Sequence, residues 1–478
     1  MGAQDLPYDI LHNILAHLKA LIQPDPISPN KPRLASYACI CRSWNEAVER
    51  EIFRNLEVVK AEGLARAEEL LTKHPSRRLC AVRNLTFVGW YQRSDSLKRD
   101  LSRKQLAERD AAFSADVERL LRLLTAVERA GDARLALELR FVLEKTPPED
   151  GDEEGVEGFD NGDDDDDNDD DSEFDDYGSG GDDEERLKYD PAYLRYVGEG
   201  LPQVHCVKQF ILQRSQHERL WGASVTTLLS AMEGLELCNV SFHDEQTVDP
   251  GVRIDYRKAL GESLYQIPDT CKRFYASFEH CITEAPKSQP GFVPNSVDSL
   301  CLGLQSLSTQ LVNISLEMLT ISPALFWPQG EGDVATAPHW PNLEYFYIRY
   351  SPISASGEPF AHSDPDRPNQ ELTNGLFVAV GKAVRNMPAL QIMDLEMAPE
   401  LDFQVLFSYV FDKADGVFQA KWSGTGETLK LSPDVLRAFN IKEEDLVLNA
   451  PREPPKKKKR WEVAVFKSWD ITARVRNQ

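Results

Sequence analysis

Two amphipathic stretches open the chain. The apolar positions of the first are Ile10, Leu11, Ile14, Leu15, Leu18, Leu21 and Ile22, spaced as one face of a helix. Pro7 suits the first turn of that helix, because the amide it lacks would have had no partner there, and Asp9 favours the positive end of the helix dipole. In the second stretch Leu34, Tyr37, Cys41, Trp44, Val48, Ile52 and Leu56 recur three or four residues apart, which predicts a further helix. A module shorter than about 60 residues buries too little of its own surface to stand alone comfortably, so this one requires a partner surface.

Beyond this module the pattern changes to strand-like alternation. Apolar runs of this kind are Val82–Val88, Leu135–Phe141, Val204–Leu212, Leu235–Val240, Phe274–Phe278, Leu311–Leu316, Leu343–Ile348 and Leu390–Leu395, with a further strand at Trp461–Phe466. Helical spacing lies between them, notably over Phe113–Arg129 and Leu376–Asn386. Strand, helix or loop, then strand again predicts an α/β chain, with strand starts 30 to 50 residues apart over most of its length.

Leu6-Pro7, the Ile/Leu ladder that follows, and Ile40-Cys41-Arg42-Ser43-Trp44 ahead of Phe53 together resemble an F-box. The likeness covers about a tenth of the chain. It implies docking onto a Skp-type adaptor, and through it onto a cullin-RING ubiquitin ligase. The adaptor-binding set it implies is Leu6, Pro7, Ile10, Leu11, Ile14, Leu15, Leu18, Leu34, Ile40, Cys41 and Trp44. One departure is the link Gln23–Arg33, whose four prolines make it longer and stiffer than usual for the family.

Leu311-x-x-Ile314-x-Leu316-x-x-Leu319-x-Ile321 resembles a leucine-rich repeat, in which each strand stacks beside the last. Pro341–Phe346 and Met387–Ile392 look like entries into two more such units. The repeat length is irregular and exceeds 20 to 29 residues, so a plain α/β fold with a mixed sheet is the alternative. The stretches Leu311–Pro328, Trp340–Pro352 and Asn374–Leu395 are also similar to fungal F-box proteins with degenerate repeats. The expected fold is therefore mixed α/β: a short helical F-box at 1–57, then an irregular leucine-rich-repeat-like solenoid. Its body would occupy 58–146 and 187–478, on either side of an acidic insertion at 147–186.

Charge sharpens that division. The net charge of −24 belongs almost entirely to Glu149–Glu185, which holds 22 Asp or Glu and no Lys or Arg; the remainder carries −2. A segment of Asp, Glu, Gly and Ser has too little to bury to offset its ordering entropy, so disorder is expected. A nearly neutral remainder offers no broad basic face for nucleic acid. The eight cysteines lack paired short spacings, no leader pattern opens the chain, and no run of 18 apolar residues would span a bilayer. Reduced thiols in an intracellular, nuclear or cytoplasmic protein are expected.

Candidate chemistry is sparse. Gly375–Ala383 approaches a phosphate loop, but five residues rather than four separate its glycines and Ala383 replaces the metal-binding hydroxyl. Ser423-Gly424-Thr425-Gly426 reads as a turn. His12 and His17 fall on different helix faces, and the adjacent pairs His205-Cys206 and His280-Cys281 cannot both face one ion from a strand. Neither a catalytic site nor a cofactor is expected. Lys456, Lys457, Lys458, Lys459 and Arg460, led by Pro454-Pro455, resemble a one-part nuclear import signal, or else form a basic loop before the last strand.

The expected function is a non-catalytic substrate receptor whose body presents an unidentified target protein to the ligase. The rivals are an F-box scaffold without degradation and an acidic nuclear chaperone binding basic proteins such as histones at the insertion.

Overall fold

A strand of alternating apolar residues can dry only one of its faces, and it needs neighbours on both edges to pair its amides. The computed structural model meets both needs with one 13-stranded sheet. It describes residues 8–22, 37, 39–72, 78–92, 103–131, 134–144, 193–212, 219–244, 250–279, 298–328, 337–360, 368–397, 405–412, 417–425, 429–443, 447–449 and 460–468. Nine strands follow one another across the sheet in chain order, all parallel: β1 (Asn55–Val59), β2 (Asn84–Gln92), β3 (Leu135–Glu144), β4 (Val207–Leu212), β5 (Leu237–His243), β6 (Arg273–Glu279), β7 (Asn313–Leu319), β8 (Tyr345–Tyr350) and β9 (Ile392–Met397). An antiparallel end completes it, with β10 (Val405–Asp412), β11 (Val417–Thr425), β12 (Val447–Asn449) and β13 (Arg460–Ser468) in the spatial order β10-β11-β13-β12.

Parallel neighbours need crossovers, and these return along one face. The connecting helices include α3 (Lys60–Thr72), α4 (Arg103–Ala130), α5 (Gly222–Ser230), α6 (Pro250–Ser263), α7 (Ser299–Ser308) and α8 (Gln370–Val384); α9 (Pro433–Ala438) joins β11 to β12. Helices α1 (Tyr8–Ile22) and α2 (Arg42–Arg54) precede the sheet. Beneath the crossovers runs an unbroken buried row, one residue per strand: Leu85, Leu137, Phe210, Cys238, Phe274, Ile314, Phe346 and Met393. Gly261 of α6 and Gly303 of α7 let these helices touch by backbone. A Cβ at Gly261 would stand 2.1 Å from the Ser299 carbonyl oxygen, and one at Gly303 2.3 Å from that of Gly261.

Strand entry repeats one bonding pattern. The N–H groups of Lys272 and Arg273 both donate to the Glu236 carbonyl, at 3.1 and 3.2 Å. Val312 and Asn313 do the same to Lys272, Glu344 and Tyr345 to Val312, and Gln391 and Ile392 to Glu344. The register positions Leu237, Arg273, Asn313, Tyr345 and Ile392 thus mark successive units 32 to 47 residues long.

Between β3 and β4 the chain returns along α4. The Arg109 guanidinium donates to the Tyr193 carbonyl at 3.0 Å, the Arg195 N–H to Asp110 Oδ1 at 3.1 Å, the Val197 N–H to Ser114 Oγ at 2.8 Å and the His205 N–H to Glu128 Oε2 at 3.1 Å. Burial pushes the Asp110 carboxyl above the usual range, against the lowering effect of the Arg195 amide and Arg109.

A second buried charge cluster lies farther along the sheet. Asp244, just past β5, accepts from Arg253 Nε at 2.7 Å and from an Arg257 guanidinium nitrogen. Arg257 also reaches Asp298 Oδ2 at 2.8 Å, ahead of α7, and the Thr320 hydroxyl at 2.7 Å, just past β7. The two arginines and two aspartates balance, and the Arg253–Asp244 and Arg257–Asp298 contacts have the length of charge-assisted bonds. Although burial opposes it, the two carboxylates hold Arg257 more firmly protonated than usual.

The eight expected body strands coincide with β2 to β9, Phe113–Arg129 lies within α4, and Leu376–Asn386 overlaps α8. The helix expected over Leu34–Leu56 is shorter. Cys41 and Asn55 take extended backbone at its two ends, and Leu56 lies in β1, so residue 57 falls inside a strand. Ser423–Thr425, expected as a turn, closes β11. The acidic insertion lies outside the described residues.

Two outcomes follow from these contacts. Asp244→Ala removes the carboxylate between two buried guanidinium groups, leaving Asp298 to Arg257 alone, and should cost about 3–5 kcal/mol of stability by chemical denaturation; a loss below about 1 kcal/mol would show that the cluster contributes little. Deleting Glu149–Glu185 should shift the thermal midpoint by less than about 5 °C, because β3 and the Tyr193 anchor fix both flanks independently and closure cost varies slowly with length.

Candidate functional site

Two surfaces stand out. The first is on the N-terminal helices, whose own small core contains Leu11, Leu15, Trp44, Ala47 and Val48, flanked by Ile14, Leu18, Tyr37 and Cys41. Two apolar side chains stay outside that core: Ile10, on the opposite face of α1, is 45% exposed, and Ile40, in the bend before α2, is 50% exposed. Of the residues the resemblance marked for adaptor contact, Leu11, Leu15 and Trp44 therefore pack inward. Ile14, Leu18 and Cys41 are half-buried, and Ile10 and Ile40 are presented outward. Leu6, Pro7 and Leu34 lie outside the described residues.

The helices join the sheet without a linker, since α2 ends at Arg54 and β1 begins at Asn55. Arg78 braces the joint. It pairs with Glu49 of α2 at 2.9 Å, donates to the Leu70 carbonyl at 2.9 Å and lies 5.1 Å from the centre of the Phe53 ring.

The second surface is the sheet face opposite the crossovers, where the outward positions of successive strands form rows. One row reads Arg273, Asn313, Tyr345 and Ile392, and the next Tyr275, Ser315, Tyr347 and Asp394. A third sets Glu317, Arg349 and Glu396 side by side, with Leu406 of β10 beyond. Tyr345, Ile392 and Leu406 are 39%, 36% and 39% exposed. The Tyr347 hydroxyl donates to Glu396 Oε2 at 3.2 Å; burial, then the neighbouring charge of Glu396, raises its pKa. At Met318 the register of β7 slips by one residue, and its backbone takes a φ of 60°. This bulge leaves both Glu317 and Met318 off the buried face. The face sets tyrosine and arginine, residue types enriched at protein interfaces, among carboxylates and exposed aliphatic groups. Alternation within each strand was readable from the sequence; the lateral rows depend on register and were not.

The other flagged residues are placed as follows. Gly375–Ala383 is continuous helix within α8, so no loop exists there to cradle a phosphate. His17 is on α1, and His205 Nδ1 lies 3.4 Å from Glu233 on the surface. His280 and Cys281 lie outside the described residues. No group of three potential metal ligands occurs among the described residues, and no helix among them is long and apolar enough to cross a membrane. Lys456–Lys459 lie outside the described residues, and Arg460 begins β13. No family model matches this chain, and no curated protein matches it either.

The thiols divide by burial. Cys39 is exposed, whereas Cys206, Cys238, Cys271 and Cys301 are buried. Burial first, with the Glu128 charge adding, pushes Cys206 up to about 12, and burial pushes Cys271 to about 12. In the native protein at pH 8, iodoacetamide should therefore modify Cys39 at least about tenfold faster than any of the four buried thiols. Peptide mass spectrometry over a time course reads this directly, and equal rates would contradict the packing.

Proposed function

We propose that the chain is a non-catalytic substrate receptor. The α1–α2 module docks a Skp-type adaptor through its outward face, and the open face of the sheet holds a target protein, as the F-box and leucine-rich-repeat resemblances imply. In this reading the sheet body is an irregular leucine-rich-repeat-like solenoid. Its role is proximity: the target is held where a ligase-bound ubiquitin reaches its lysines, and the covalent chemistry belongs to other subunits. The observation that carries the reading is the two-sidedness of the helical module. Its own core is complete with Leu11, Leu15, Trp44 and Val48, yet Ile10 and Ile40 remain outside it. Large apolar groups left out of a finished core suit a docking surface.

Import into the nucleus through Lys456–Arg460 belongs to the same proposal. Fusing residues 454–460 to an inert cytoplasmic carrier would test that part alone.

The docking face is tested by Ile10→Asp combined with Ile40→Asp. Burying each side chain at an interface is worth about 1.5–3 kcal/mol, so the pair should weaken adaptor pull-down more than tenfold with the thermal midpoint unchanged. Undiminished capture of the adaptor by the double variant would overturn the assignment. Leu15→Asp is the contrasting control: it enters the module's own core and should lower stability together with binding.

A further inference from the structure

The chemistry of the open face narrows what it can hold. Across the three adjacent strands β7, β8 and β9 the outward positions carry Glu317, Asp394 and Glu396 against the single cation Arg349. Tyr347 lies beside Asp394 with its hydroxyl on Glu396, Tyr345 lies between Asn313 and Ile392, and Ile392 offers an apolar edge. Arg349 stands between Glu317 and Glu396 in register, and one cation against three carboxylates leaves the patch acidic. The Tyr347 hydroxyl is already committed to Glu396, so its ring, rather than its hydroxyl, is available to a ligand.

We infer that this patch takes a basic, extended segment of the target protein, with a lysine or arginine side chain over the Tyr345 and Tyr347 rings and its charge toward Asp394 and Glu396, on the side of the rings nearest those carboxylates. Aromatic faces attract such cations, and nearby carboxylates add a directional charge contact. An acidic or neutral segment would forgo both. The inference rests on the open face being the target-holding surface and names the chemistry of what is held.

The test uses the full chain at physiological salt and three synthetic decapeptides with one benzophenone each. They are identical except that three positions are all lysine, all glutamine or all glutamate. After photolysis, labelled residues are mapped by mass spectrometry, which separates the sheet face from the carboxylates of Glu149–Glu185. The lysine peptide is expected to label β7 to β9, and the glutamate peptide to leave them unlabelled. Glu317→Gln, Asp394→Asn and Glu396→Gln combined should lower that labelling about tenfold, since each exposed ion pair adds modestly and the effects multiply. Tyr345→Ala, at an exposed position, should lower it about threefold. Lysine-peptide label confined to the acidic insertion, or unaffected by these variants, would overturn the inference. Label on the face from the glutamine or glutamate peptide alone would overturn it while leaving the face as a binding surface. Label on the face from none of the three would overturn both.

Discussion

A parallel strand cannot close on its neighbour through a tight turn, so each unit must leave the sheet, cross, and re-enter in register. Re-entry is the interaction on which everything else hangs. One carbonyl of the preceding unit accepts two successive N–H groups of the next, from Glu236 through Lys272 and Val312 to Glu344. A slip of one residue at any of these points would turn Phe274, Ile314, Phe346 or Met393 to the open side and bring Tyr275 or Tyr347 into the core. The buried row and the exposed rows are thus two outcomes of a single choice of register.

The buried charge cluster fits the same scheme. Arg257 reaches residues that follow β5, precede α7 and follow β7, so one side chain fixes three loops to a common geometry. Removing both partners in favour of matched apolar groups could preserve stability, but it would discard the directional bonds. Specification of loop position, more than net energy, is what such a cluster contributes.

Much of this was legible in the sequence. Alternating segments such as Leu343–Ile348 and Leu390–Leu395 became strands because both edge pairing and one dry face were available to them. The parallel order was anticipated by the repeat-like units, but β10 and β11 were not: Phe407, Tyr409 and Trp422 alternate as clearly as any, yet their neighbours gave no repeat signal. The ending of α2 was also hidden. Leu56 continues the helical spacing perfectly, and only the neighbouring strand, through Leu56 beside Leu85, makes the extended backbone favourable. Of the N-terminal module, the helices and their apolar positions were readable. The division into inward Leu11, Leu15 and Trp44 and outward Ile10 and Ile40 was not, because it depends on how α1 and α2 cross. Nor could the sequence have placed Glu317, Arg349 and Glu396 in one line, since they are joined only by register.

The joint between α2 and β1 has a mechanical consequence. With no residue of slack between helix and strand, and with Arg78 tying Glu49, Leu70 and Phe53 together, the two surfaces are ends of one lever rather than beads on a string. Any force applied to the helices would be passed to the sheet as a turn of its first strand rather than absorbed by a tether.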